Sequence, residues 1–195
     1  MARIKTDYIV VHCADTYADM DIGFTEIDRW HRQRGFNMCG YHGIIRRDGK
    51  FESGRELSAQ GAHVKGYNHR SVGICMVGGK ARAGGGTEDN FTVEQYVTLR
   101  RTLANWIRVY PHASVVGHND LAARGCPSFD VGKWMNTQPE LLRMMDEPSN
   151  QTQPIGDDDA ADMARGLEEA GYLVKKQHIG EVANYIRNRW TPVPH

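Results

Sequence analysis

Between residues 7 and 130, short apolar, β-branched runs alternate with stretches of helical period, and this alternation restricts the fold more than any other feature. DYIVVHC (7–13) reads as a buried strand ended by the polar Ala14-Asp15-Thr16. Thr25 is placed to cap a helix with Ile27, Trp30 and Arg34 near one face and Gly35 at its stop. YHGIIRR and KFES flank Asp48-Gly49, a two-residue hairpin signal. SVGICMVGG is a further strand closed by two glycines, and KARAGGGTEDN is a surface loop by composition. The strongest helix lies in FTVEQYVTLRRTLANWIRVYP. Thr92 and Gln95 have capping-box spacing, Tyr96, Leu99, Leu103, Trp106 and Tyr110 make an apolar stripe, and Pro111 ends it. ASVVG follows as a strand, then a loop through Cys126, then a helix from about Asp130 to Met145. Strands interleaved with helices, plus one hairpin, predict an α/β domain over residues 1–146, with a mixed central β-sheet flanked by helices.

EPSNQTQPIGDDD breaks the pattern with two prolines and an acidic run, so residues 147–157 read as a linker. Residues 158–195 form a short helical C-terminal extension: one pattern stops at Gly171, and a second carries Ile179, Val182, Ala183, Ile186 and Trp190. A segment this short cannot bury much core by itself. It is expected to dock on the main domain, with attachment to wall or membrane as the alternative, because Lys175, Lys176, Arg187 and Arg189 lie beside the apolar stripe. Lys+Arg and Asp+Glu are both 24, which argues against nucleic acid as the main partner. No apolar run approaches a secretory leader or a membrane span, so a cytoplasmic start, no integral membrane association and a monomeric chain are expected. The four cysteines are scattered, which disfavours a disulfide framework; Cys13 and Cys75, in VVHC and GICMV, read as small core residues.

Chemistry can be sought among nine histidines, most of which should be structural or exposed. His12 stands at the C-terminal end of a predicted strand, and His118 ends another in VVGHND. Cys126 follows eight residues later (126 − 118) in a Gly-Cys-Pro turn. Strand ends and the loops beyond them are where open α/β sheets mount their functional groups. Two imidazoles and a thiolate suit zinc, and three protein ligands leave a fourth position for water. Spacing alone leaves the structural reading open, since no CxxC or HExxH pair occurs.

VVHCADT, CGYHGIIRRDGKFESGR, GAHVKGYNHRSVGICMVGG, GHND and GCPSFD, taken in order over about residues 1–136, resemble the zinc amidase family of phage lysozymes and peptidoglycan recognition proteins. The resemblance implies that His12, His118 and Cys126 hold Zn2+, that Tyr41 is catalytic, and that His63 and His69 contact substrate. It implies a peptidoglycan substrate cut at the amide between N-acetylmuramic acid and L-alanine. It also implies a lytic role in which the protein leaves the host cytoplasm through a holin pore and acts in the periplasm. The family's usual catalytic lysine lies two residues before the cysteine ligand, where this chain has Arg124. Arginine keeps the charge and the donors but does not shuttle protons, so an oxyanion-stabilising role is expected of it. One phage member also regulates RNA polymerase; the segment before the first strand is several residues shorter here, which argues against that partner. A non-catalytic peptidoglycan-binding protein would be marked by loss of a metal ligand, and all three are present. A glycosidase needs two carboxylates across the scissile bond; Glu26, Glu52 and Glu56 lie outside the site motifs. His31, His42 and His112 match no family role, and Asp130 reads as a helix cap.

Overall fold

The computed structural model describes residues 5–146; the linker and the helical extension lie outside them. Five strands form one sheet in the order β3-β2-β4-β1-β5, with β1 (Tyr8–Cys13), β2 (Gly43–Ile45), β3 (Phe51–Ser53), β4 (Ser71–Met76) and β5 (Ser114–Gly117). β1 runs parallel to both neighbours, β4 and β5, and only the β2–β3 hairpin is antiparallel. The sheet is mixed, as the interleaved pattern predicts. β1 is buried from Ile9 to Cys13 and β4 along its whole length, the mark of strands covered on both faces.

Side-chain alternation divides the core in two. Ile9 and Val11 of β1, with Val72, Ile74 and Met76 of β4, pack beneath α2 (Val93–Val109), against Leu99, Leu103, Trp106 and Ile107. Trp134 of α4 (Val131–Met135) and Leu141 of α5 (Pro139–Asp146) complete this layer. The opposite face carries His12, Ile44 and Cys75, covered in part by α1 (Phe24–Gln33) through Ile27 and Trp30. α2 is capped as its sequence predicts: Thr92 Oγ1 accepts from the Gln95 N–H, and Gln95 Oε1 accepts from the Thr92 N–H. Asp130 likewise caps α4 by accepting from the Lys133 N–H at 2.8 Å.

Three local expectations are corrected. α1 begins after Gly23, two residues before the expected Thr25 cap. Glu26 accepts from the Gly23 N–H at 2.9 Å, and Glu52, arriving from β3, accepts from the Phe24 N–H at 2.6 Å. The free N–H groups of the first turn are thus met by carboxylates, one of them remote in sequence. In the hairpin, the Gly49 N–H donates to the Arg46 carbonyl at 3.0 Å, so Arg47 and Asp48 are the central turn residues. Gly49 takes the left-handed position with φ 79°. The single helix expected from Asp130 to Met145 is two, because Pro139 has no N–H to continue α4 and instead opens α5.

Candidate active site

Strand register brings the two histidines together. β1 and β5 pair in parallel up to Val11 opposite Gly117, so His12 and the next residue of the other strand, His118, stand level at the C-terminal edge. Their ring centroids are 4.6 Å apart. His118 opens the short helix α3 (His118–Leu121), whose Asp120 accepts from the Gly117 N–H at 2.7 Å. The chain then loops back and presents Cys126, held by the Asn119 N–H donating to the Cys126 carbonyl at 2.7 Å. Ser128 Oγ donates to the Gly79 carbonyl at 2.8 Å and ties the same loop to the turn after β4.

The ligand atoms of His12, His118 and Cys126 all lie within 4.8 Å of one another, with Cys126 Sγ 3.7 Å from His12 Nδ1. Two nitrogens and a sulfur at this spacing fit a tetrahedral zinc site with one position left over. Burial, then the neighbouring His63, His118 and His42, hold the His12 imidazole well below its usual pKa. Burial and then the charge of Arg124 lower that of His118. Both rings are therefore neutral at pH 7, the form that ligates metal. A hydrogen bond with Cys13, then burial, pushes the Cys126 thiol up, while the same bond brings Cys13 down to about 7. The Cys13 N–H also donates to Cys126 Sγ at 3.2 Å. A cation is what would hold Cys126 as the thiolate. Cys13 is buried, as its apolar run predicts, but it also touches the ligand sulfur, which strand alternation gave no means of foreseeing.

The cluster opens into a cleft of about 350 Å³. One wall is α1, through Ile27, Trp30, His31 and the adjoining Arg34; Tyr41, Thr87 and Arg124 line the rest. The Tyr41 ring lies 5.1 Å from that of His12. Burial, then the surrounding thiols, raise its phenol well above the usual value, so Tyr41 stays protonated. Arg124 is exposed, and among the described residues no ion pair with an acidic side chain is found for it. His31, which sequence gave no role, is buried at 5% exposure with its Nδ1 accepting from the Gly40 N–H at 2.8 Å. Its other nitrogen therefore carries the proton. Burial, then Arg34 and Arg55, lower its pKa to about 4. Glu26 and Glu52 are engaged at the start of α1, and Asp15 is the one carboxylate among the described cleft residues, so the paired carboxylates of a glycosidase are missing there.

The two histidines expected to meet substrate are placed differently from each other. His63 packs against His12, with His12 Nε2 and His63 Nδ1 2.9 Å apart. His69 is exposed on a single 3-10 turn, Asn68–Arg70. Neither is among the residues that line the cleft. His42 is buried beside His63 and His112 is exposed, in keeping with their structural and surface readings.

Comparison with known proteins agrees with this arrangement. The family model for N-acetylmuramoyl-L-alanine amidase matches residues 2–129. The chain is 47% identical over 135 residues to an endolysin of Enterobacteria phage K11, covering 69% of this chain and 89% of that one. It is 43% identical over 132 residues to the endolysin of Escherichia phage T7, covering 68% and 87%. Among solved structures it is similar to the N-acetylmuramoyl-L-alanine amidase LysC from Clostridium intestinale, with a TM-score of 0.52 and 27% identity over 66% of this chain and 80% of that one.

Proposed function

The chain belongs to the N-acetylmuramoyl-L-alanine amidase family, and on that premise we propose that it is a zinc-dependent phage endolysin cutting the N-acetylmuramic acid–L-alanine amide for host lysis. The observation that carries the zinc reading is the cluster of His12, His118 and Cys126, of which His118 and Cys126 line a cleft together with Tyr41 and Arg124.

Bound there, zinc would acidify a water to a pKa of about 7 and polarise the scissile carbonyl. The protein's own residues supply the rest. His12, His118 and Cys126 would hold the metal. The Arg124 guanidinium, without an acidic partner among the described residues, offers hydrogen bonds to the oxygen that becomes negative in the tetrahedral state. It cannot exchange a proton at this pH, so proton delivery to the leaving amine falls elsewhere. Tyr41, protonated and beside His12, can donate its phenolic O–H to the reacting groups and help that transfer. Trp30 gives the cleft an apolar wall for a sugar ring or peptide methyl, while exposed His69 is assigned to outer parts of the polymer. Among the described residues no helix is long and apolar enough to cross a membrane. Passage to the periplasm through a holin pore belongs to this reading.

The test is hydrolysis of purified peptidoglycan with and without a chelator, with mass identification of the new ends. Stem peptides with a free N-terminal alanine, lost on chelation and restored by zinc, are expected. New reducing sugar ends, or tight binding without cleavage by the zinc-loaded protein, would overturn the assignment.

A further inference from the structure

We propose that His63 is a positioning residue for the metal site: with Ser71 and the Tyr67 carbonyl it forms a one-way hydrogen-bond chain that fixes the tautomer of His12 and leaves its Nδ1 bare. This rests on the zinc reading above and assigns His63 to the far side of a ligand rather than to substrate.

The direction of the chain can be read from its end. Ser71 Oγ is 2.9 Å from the Tyr67 carbonyl, which only accepts, so the hydroxyl proton points there. Ser71 Oγ is then an acceptor towards His63 Nε2, 3.4 Å away, so the His63 proton sits on Nε2. With its proton on Nε2, neutral His63 has a lone pair on Nδ1. That lone pair faces His12 Nε2 at 2.9 Å, so His12 must donate from Nε2. The remaining nitrogen, His12 Nδ1, is unprotonated and is the atom 3.7 Å from Cys126 Sγ. A ligating imidazole whose second nitrogen donates to an outer partner is held in one ring orientation and is the more basic for it.

The surrounding backbone is shaped for His63. A Cβ on Gly73 would fall 2.6 Å from His63 Nδ1, and one on Gly61 would strike the same ring, so two glycines make its space. Asn68 Oδ1 accepts from the N–H groups of His63 and Val64 at 2.7 and 2.9 Å and clamps the segment. His42 holds Gly73 in turn: its Nε2 donates to the Ala59 carbonyl at 3.1 Å, which leaves Nδ1 to accept from the Gly73 N–H at 3.0 Å.

Two measurements on the full chain test this. Long-range proton–nitrogen correlation spectra of the metal-free wild type at neutral pH should show both His12 and His63 as Nε2–H tautomers. A proton on His12 Nδ1 would overturn the proposal without any variant having to fold. Zinc affinity, by competition with a chromophoric chelator, should fall about 10- to 100-fold in His63→Leu. His63→Asn, which can return an acceptor oxygen near the Nδ1 position, should recover part of the loss. A folded His63→Leu with wild-type zinc affinity would overturn the inference alone. A wild type that takes up no zinc would sink the metal reading, while the tautomers would still decide the role of His63.

Discussion

Arg124 and His31 carry consequences that belong to single side chains. In the proposed oxyanion role Arg124 acts in the transition state, so Arg124→Ala should lower kcat by about 10²- to 10³-fold with a smaller change in KM. Arg124→Lys restores a cation that can titrate, and its rate–pH profile should gain an alkaline limb that the arginine enzyme lacks. Superimposable profiles would count against Arg124 acting near the reaction centre. His31 governs stability instead. Its folded pKa of about 4 lies below the usual 6.5, so between those values the unfolded chain binds a proton that the folded chain refuses. Its contribution is fully present above about pH 6.5 and is lost as pH falls towards 4. Denaturant titrations at pH 7 and pH 4.5 should show His31→Asn, which keeps an acceptor for Gly40, losing about 2 kcal/mol less than the wild type between the two. Equal losses would mean that His31 is not held neutral by its burial.

Helix α2 shows how an element is secured from both its own sequence and its surroundings. Thr92→Ala removes the cap bond and the bond its hydroxyl donates to the Arg47 carbonyl, and should cost about 1 kcal/mol in chemical denaturation. Gln95 does more than complete the capping box. Its Nε2 donates to the Ile45 and Val77 carbonyls at 3.2 and 2.8 Å, and its Oε1 also accepts from Arg47 Nη1 at 2.9 Å. One fully buried amide thus joins α2 to the ends of β2 and β4. Gln95→Leu should therefore cost roughly 3 kcal/mol, because it strands several buried groups. If the two substitutions cost the same, the links to Ile45 and Val77 contribute little. At α1 the balance is reversed, since Glu52 from a distant strand supplies an acceptor that the local sequence does not offer.

At the scale of the molecule, the described residues form two clusters of core, one on each face of the sheet. The relatives from phages K11 and T7 are covered for 89% and 87% of their length by alignments spanning only 69% and 68% of this chain. We propose residues 1–146 as the catalytic domain and the extension as a helical piece docked upon it. A protein ending at residue 146 should fold cooperatively and hydrolyse peptidoglycan at a rate near that of the full chain, with a lower Tm. Loss of wall binding at unchanged Tm would instead make the extension an attachment segment. The proposed zinc would add a further link, because a ligand that binds only the folded state stabilises it by about 2.7 kcal/mol at a hundred times its Kd. Chelation should accordingly lower Tm in the wild type and leave Cys126→Ser nearly unmoved.

The local pattern of residues was enough to place β1, β4 and α2 and to cap α2 at Thr92, while for His12, His118 and Cys126 it left a structural reading open. Apolar period, capping chemistry and turn composition act over a few residues and can be read in a line. The resemblance added Tyr41 and the significance of Arg124. The tertiary structure decided what depends on pairing between distant segments. The parallel register of β1 with β5 sets His12 level with His118, and α1 supplies Trp30 and His31 to the cleft wall. The space over Gly73 admits the His63 ring behind His12. A strand's sequence fixes which residues share a face, but not which strand lies beside it; here that neighbour turned separate histidines into one site.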